Sequence, residues 1–221
     1  MRLFRRLALG CALLVSLGTI ASADTGPTFT GPLSLPEKQF VAVIQVDLRQ
    51  RFPHAADAER AGYVRYTNED DSGAISYANK QWNSTDAQHP SQLWYDVNGN
   101  LLGADFSVLK TSAARPSLWG IDPGRWAEFD AHVHYVALAG GKPRYDQWVS
   151  AAQWTAAGGD LQNPSTATLI KLGRVKSPAD VQSLFLFPTI WDLIVWVKPN
   201  PAGAFADKNP DVKPSGLHSA M

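Results

Sequence analysis

The chain predicts a single α+β domain, an antiparallel, curved sheet with helices packed on one face. Three observations predict it. Ser34-Leu35-Pro36-Glu37 opens a run whose apolar residues recur at helical spacing. Asn98-Gly99 stands between two strand-like runs. Ile190 to Val197 is so apolar and β-branched that it suits a buried strand. Composition agrees. Of 221 residues, 45% are hydrophobic and 18% charged, which supplies a core and is too little charge for a disordered chain. The length suits one domain, or at most two small ones of roughly 100–200 residues each. The 20 Lys and Arg balance the 20 Asp and Glu, which argues against a nucleic-acid partner bound through a basic surface.

Residues 1–23 read as a cleavable secretory signal. Arg2, Arg5 and Arg6 form a positive start, Leu7 to Ile20 an apolar stretch, and Ala21-Ser22-Ala23 an A-x-A cleavage site before Asp24. The apolar stretch falls short of the ~20 residues of a spanning helix, so no membrane association is expected after cleavage. Leu7, Ala8 and Leu9 fit a twin-arginine signal poorly. Cys11 lies inside the apolar stretch rather than after it, which disfavours a lipoprotein. Cleavage removes three Arg and Cys11, the one cysteine. The mature chain then has no disulfide, thiolate ligand or Cys nucleophile, and any metal must be held by His, carboxylates or backbone oxygens. Residues 24–198 read as the single domain, and residues 199–221 as a Pro-rich C-terminal arm extended over the surface.

Along the domain, residues 24–33 are an extended lead-in. Ser34 and Glu37 make a capping box for a helix over 35–51, with Phe40, Ile44, Leu48 and Phe52 at i+4 spacing and Pro53 as the stop. A short helix from His54 to Ala61 ends at Gly62. Tyr63 to Tyr66 begins a strand. Asn68, Asp70, Ser72 and Gly73 resemble the start of a calcium loop, but Asn79 stands where a bidentate Glu is required, so a solvated turn is expected. Gln92–Val97 and Asn100–Leu109 form a hairpin about Asn98-Gly99. Residues 110–124 are a loop carrying Trp119. Trp126 to Leu138 is a strand, Tyr145 to Ala157 a helix stopped by Gly158-Gly159, and Ser177-Pro178-Ala179-Asp180 opens a short helix.

The run Glu128-Phe129-Asp130-Ala131-His132-Val133-His134-Tyr135 carries the chemistry. Strand side chains alternate, so Glu128, Asp130, His132 and His134 share one face and Phe129, Ala131, Val133 and Tyr135 the other. Residues i and i+2 lie about 6.6–6.8 Å apart on a strand, near enough for two imidazoles to lean onto one ion. Asp130, Glu128, or His54 or His89 from elsewhere could complete a site for Zn, Cu or Fe. The cupin pattern fails for want of an acid after His134, and a third His of the carbonic-anhydrase kind is missing, with only His218 downstream. A solvated polar face with neutral, hydrogen-bonded His is the plain alternative. His54 also reads as a helix-terminal polar residue, and His89, before Pro90, as an exposed loop residue. Trp191 and Trp196 suit the core. Trp82, Trp94, Trp119 and Trp126 lie near strand ends and loops, where aromatics fill core or line a pocket. No Gly-rich phosphate loop, H-E-x-x-H or G-x-S-x-G is present.

Gly62–Asp70 (GYVRYTNED), Trp126–Val136 (WAEFDAHVHYV) and Trp191–Phe205 (WDLIVWVKPNPAGAF) together resemble a family of exported bacterial proteins without an assigned activity. The resemblance covers most of residues 36–214. It implies export and one domain, and it carries over no catalytic residue. Three functions stay open: an exported periplasmic protein binding a metal ion or small ligand at the His-x-His face; a metal-dependent or acid/base enzyme, hydrolase or oxygenase, in an aromatic-lined cleft; and a structural or interaction protein using Trp-rich loops and the arm to contact a partner or a second copy of itself as a homo-oligomer.

Overall fold

Helix α1 (Leu35–Arg51) begins where the sequence places it. Ser34 Oγ accepts from the Glu37 N–H and Glu37 Oε2 accepts from the Ser34 N–H at 2.8 Å, a complete capping box. Its buried stripe is Phe40, Val41, Ile44 and Leu48, each side chain contributing about 1.5–3 kcal/mol by burial. The computed structural model describes residues 25–79 and 85–216. The expected signal peptide, Trp82 and His218 lie outside the described residues.

After α2 (Ala55–Arg60) come β1 (Val64–Glu69), β2 (Ile75–Ala78), β3 (Gln92–Tyr95), β4 (Leu101–Leu109), β5 (Ala127–Phe129), β6 (His132–Ala139), β7 (Lys142–Ser150), α3 (Ala151–Ala156), α4 (Thr166–Lys171), β8 (Val181–Phe187) and β9 (Ile190–Trp196). The fold is α+β and antiparallel. Among the described residues the strands make two sheets, one ordered β1-β2-β3-β4-β9-β5 and one ordered β7-β6-β8. Each sheet carries helices on one face. The larger buries Ile75, Tyr77, Leu93, Tyr95, Phe106, Leu193 and Val195 against α1 and α2. The smaller buries Val133, Tyr135 and Val149 against Trp154 of α3 and Leu169 of α4. The remaining faces meet through Tyr66, Ala78, Phe185, Phe187 and Ile190. The Asn68 N–H donates to Asp146 Oδ2 at 2.9 Å and ties β1 to β7.

The expected hairpin about Asn98-Gly99 forms, with Gly99 at φ 76° and Asp96 Oδ1 accepting from the Asn98 and Asn100 N–H groups. Two expectations need correction. Trp126 to Leu138 is not one strand. β5 pairs with β9 in the larger sheet, and the chain crosses at Asp130-Ala131 to β6, which pairs with β7 and β8. Tyr145 to Ser150 is strand rather than helix. Gly140 and Gly141, at φ 58° and 76°, reverse the chain between β6 and β7. The spacing of Trp148 and Val149 is then that of a strand, with Val149 buried and Trp148 exposed. Only Ala151–Ala156 is helical. The described part of the tail, residues 199–216, runs in turns and is fastened: Phe205 joins the main core, Val212 packs with Trp94, and Ser215 N–H and Oγ–H donate to the Glu69 carboxylate.

Candidate functional site

A cavity of about 790 Å³ opens between the two sheets. Strand alternation builds both walls. In the larger sheet, the residues that do not face α1 face the cavity: Ser76 of β2, Gln92 and Trp94 of β3, Asp105 of β4, and Asp192, Ile194 and Trp196 of β9. From the smaller sheet come His132 and His134 of β6, Trp148 of β7 and Phe187 of β8.

The imidazoles of His132 and His134 converge, with their Nε2 atoms 3.0 Å apart. His132 Nδ1 is 2.8 Å from the Asp130 carbonyl, which only accepts, so Nδ1 carries the proton there. The His132 ring stacks on Phe187 at 4.4 Å, and His134 lies between Phe185 and the edge of Tyr66. Burial, and then the neighbouring His132, push the His134 imidazole down to about 3, against a pull from the Gln147 main chain, so it is neutral at pH 7. A neutral His134 has one proton to place. On Nε2 it donates to His132 and leaves Nδ1, which is buried without a well-formed hydrogen bond, as a bare acceptor. On Nδ1 it leaves the Nε2 atom without a proton to donate to His132. In either tautomer His134 keeps one lone pair for a donor or a cation.

The opposite wall carries an acid pair absent from the sequence expectations. Asp105 and Asp192 are 5% and 3% exposed and lie diagonally across the β4–β9 ladder, where Asp105 pairs with Ile194 and Ser107 with Asp192. Trp94 Nε1–H donates to Asp105 Oδ2 at 2.9 Å, and Ser107 Oγ–H donates to Asp192 Oδ1 at 2.6 Å. Gly103 permits the first bond: a Cβ there would stand 2.9 Å from the Trp94 ring and 2.8 Å from the Val195 carbonyl. Asp105 Oδ1 is buried and accepts from no N–H group, and the Asp105 and Asp192 carboxyls hydrogen-bond to each other. Burial, then the Asp192 charge, push the Asp105 carboxyl well above the usual carboxylate range. Burial raises Asp192 to about 6, opposed by the Ser107 hydrogen bond. Burial, then the Asp105 charge, push up the Tyr66 phenol, which stays protonated and donates to Gln92 Oε1.

The expected site residues separate. His132, His134 and Asp130 line the cavity together. Glu128 does not. Its strand belongs to the other sheet, and it pairs with Lys110 just beyond β4. His54 caps α2 and His89 pairs with exposed Asp86; neither lines the cavity. Trp94 lines it, whereas Trp119 and Trp126 pack in the main core. Trp191 is buried in the main core, and Trp196 is both buried and cavity-lining. Among the described residues no group of three or more His, Cys, Asp or Glu stands positioned to hold a metal ion. What the arrangement offers is an aromatic-walled space with neutral imidazole on one side and a proton-holding carboxyl pair on the other. Compared with known proteins, the chain matches no family model, no curated protein and no solved structure.

Proposed function

We propose that this chain is an exported periplasmic protein that holds a small molecule in the cavity between its sheets, with His132 and His134 among the groups that grip it. The observation that carries this is the shared lining. Imidazoles from β6 and carboxyls from β4 and β9 meet one cavity of about 790 Å³, otherwise walled by Trp94, Trp148, Trp196, Phe129 and Phe187. Small-molecule sites are typically of this kind, concave and largely apolar with a few convergent polar groups. Export is supported by the charged, apolar and A-x-A segments of residues 1–23. No helix among the described residues is long and apolar enough to cross a membrane.

The test has two arms. Protein expressed with its natural N-terminus is expected in the periplasmic fraction, at the mass of a chain beginning at Asp24; full-length mass in the cytoplasm refutes export. Saturation-transfer NMR with a set of small aromatic amines, alcohols and acids is expected to give signals that vanish in Ser76→Trp, which plugs the cavity from β2. A blank set, or signals that survive the plug, refutes the cavity as the site.

The approach of the two Nε2 atoms favours a second occupant, a divalent transition-metal ion. Two nitrogens bound at ~2.0–2.1 Å with a bite near 90° stand roughly 3 Å apart, and a carbonyl on the far ring nitrogen is the usual orienting partner. Asp130 lines the same cavity but is not placed with the two imidazoles as a three-residue set, so water would complete the coordination of an ion held by His132 and His134. Titration with Cu²⁺ is expected to give one equivalent per chain with nitrogen hyperfine structure in the electron spin resonance spectrum. His132→Ala is expected to abolish both; equal uptake by the variant excludes this reading.

A further inference from the structure

The charge of the cavity lining narrows its ligand; this step rests on the small-molecule reading above. The lining includes Asp70, Asp105, Asp130, Asp192 and Asp207, and among the described residues no Lys or Arg. Asp70 and Asp207 are exposed and Asp130 is half-buried, so acidic groups continue from solvent to the two buried aspartates. A cleft lined by one sign of charge concentrates ligands of the other sign and repels its own. An anionic ligand therefore has no counter-charge here. The Asp105 and Asp192 carboxyls hydrogen-bond to each other while a proton remains between them; once both ionise that bond is lost, and the buried Asp105 Oδ1 requires a donor. Around it stand the rings of Trp94, Trp196 and Tyr66, whose faces attract cations and whose bodies cover apolar surface. A hydrated inorganic ion would waste those rings. An alcohol would leave the acids without a counter-charge.

We propose that the cavity recognises a small organic ammonium compound with an apolar body, its nitrogen lodged against Asp105 and Asp192 and its body against the aromatic wall. The groups that face Asp105 are Asp192 from β9, Tyr66 from β1, and Gln92 and Trp94 from β3. His132 and His134 lie across the cavity on β6, and Asp70, Asp130 and Asp207 stand toward the mouth. This set holds no fixed cation, and His134 is neutral. An ammonium ion seated on the pair must displace a proton from it. Affinity therefore rises with pH while the pair is protonated, about tenfold per pH unit for each proton released, and levels off once it is ionised.

The experiment is calorimetric titration of the purified chain with phenethylammonium, 2-phenylethanol and phenylacetate, ligands that share one ring and differ in head-group charge. It is run at about pH 5.5 and about pH 7.5 in buffers of different ionisation enthalpy, on either side of the value of about 6 to which burial raises Asp192. The ammonium is expected to bind at least about tenfold tighter than the alcohol, phenylacetate not at all, and tighter binding at the higher pH is expected with proton release. Asp105→Asn and, separately, Asp192→Asn are expected to weaken the ammonium about tenfold or more and leave the alcohol unchanged, since only the charge contact is removed. Equal binding of alcohol and ammonium, or no dependence on pH, overturns this inference and leaves the small-molecule reading standing. Binding of none of the three overturns it, and the NMR set then decides whether the small-molecule reading falls as well.

Discussion

Arg125→Met is expected to lower the free energy of unfolding by about 3–5 kcal/mol, the usual cost of leaving one partner of a buried ion pair uncompensated. Arg125 and Glu37 are 5% and 1% exposed, and Arg125 Nε–H donates to Glu37 Oε1 at 3.1 Å. The guanidinium also donates to the carbonyls of Gly31 and Pro32 at 2.7 and 3.2 Å, fixing the lead-in segment beneath the start of α1. Glu37 is held from three sides. It accepts from Arg125, from the Ser34 N–H that closes the capping box, and from the Asp122 N–H at 3.2 Å. Burial alone would raise its carboxyl; the Arg125 hydrogen bond and these N–H groups outweigh it and hold it below its usual 4.5. Removing the guanidinium leaves a buried carboxylate that must ionise unpaired or take up a proton. Urea unfolding of the variant should show the midpoint falling sharply at pH 7 and recovering in part as the pH drops toward 4. Glu37→Gln added to Arg125→Met should restore part of the loss, because a neutral amide replaces the stranded charge. A loss under 1 kcal/mol for the single variant, within the range of an exposed pair, would show that water reaches this pair.

How much of this was legible in the sequence depends on whether local chemistry or long-range strand pairing decides each feature. α1 was legible to its last residue because local chemistry sets both its ends, the Ser34–Glu37 box at one and Pro53 at the other. β9 was legible as a buried strand because its composition admits no surface. β7 was misread because Trp148, Val149 and Ala152 satisfy helical spacing, while the signal that decides the matter lies upstream in Gly140-Gly141. At the site, parity holds for His132 and His134 on β6, whereas Asp130 lies in the crossing and lines the cavity together with Phe129 and Ala131, which parity puts on the other face. It failed for Glu128 because parity holds only within one sheet, and the crossing at Asp130-Ala131 depends on which strands β5 and β6 find as partners. The acid pair was missed for a different reason. Asp105 sits in GADFSVL, which reads only as one arm of a hairpin, and Asp192 in IWDLIVW, whose hydrophobicity reads as a buried strand. The available signal was the aspartate itself: an ionisable side chain in a strand buried on both faces must find a partner, a proton or a ligand.

That requirement has a measurable consequence. The double variant Asp105→Asn, Asp192→Asn is expected to be more stable than the natural chain at pH 7, by on the order of 3 kcal/mol. Asp192 alone moves from 3.8 to about 6, and each unit is worth ~1.36 kcal/mol. The sign follows from proton binding. A carboxyl whose folded pKa is raised keeps its proton in the native state after the unfolded chain has lost it, so stability falls as pH rises from about 4 toward the folded value. Below that interval both states are protonated and the pair contributes nothing. Above it the full penalty is present. Subtracting the stability of the natural chain from that of the double variant, at each pH between about 4 and 8, isolates this slope from the opposite one that Glu37 imposes at lower pH. The difference should grow across the interval. A difference that stays near zero would mean that the two carboxyls ionise as easily as exposed ones, which removes the reason to treat them as a site. A growing difference has a further implication for the cavity. Two acids that weaken the fold when ionised are relieved by any positive charge placed between them. Phenethylammonium should therefore stabilise the natural chain more at pH 8 than at pH 5, and the double variant equally little at both.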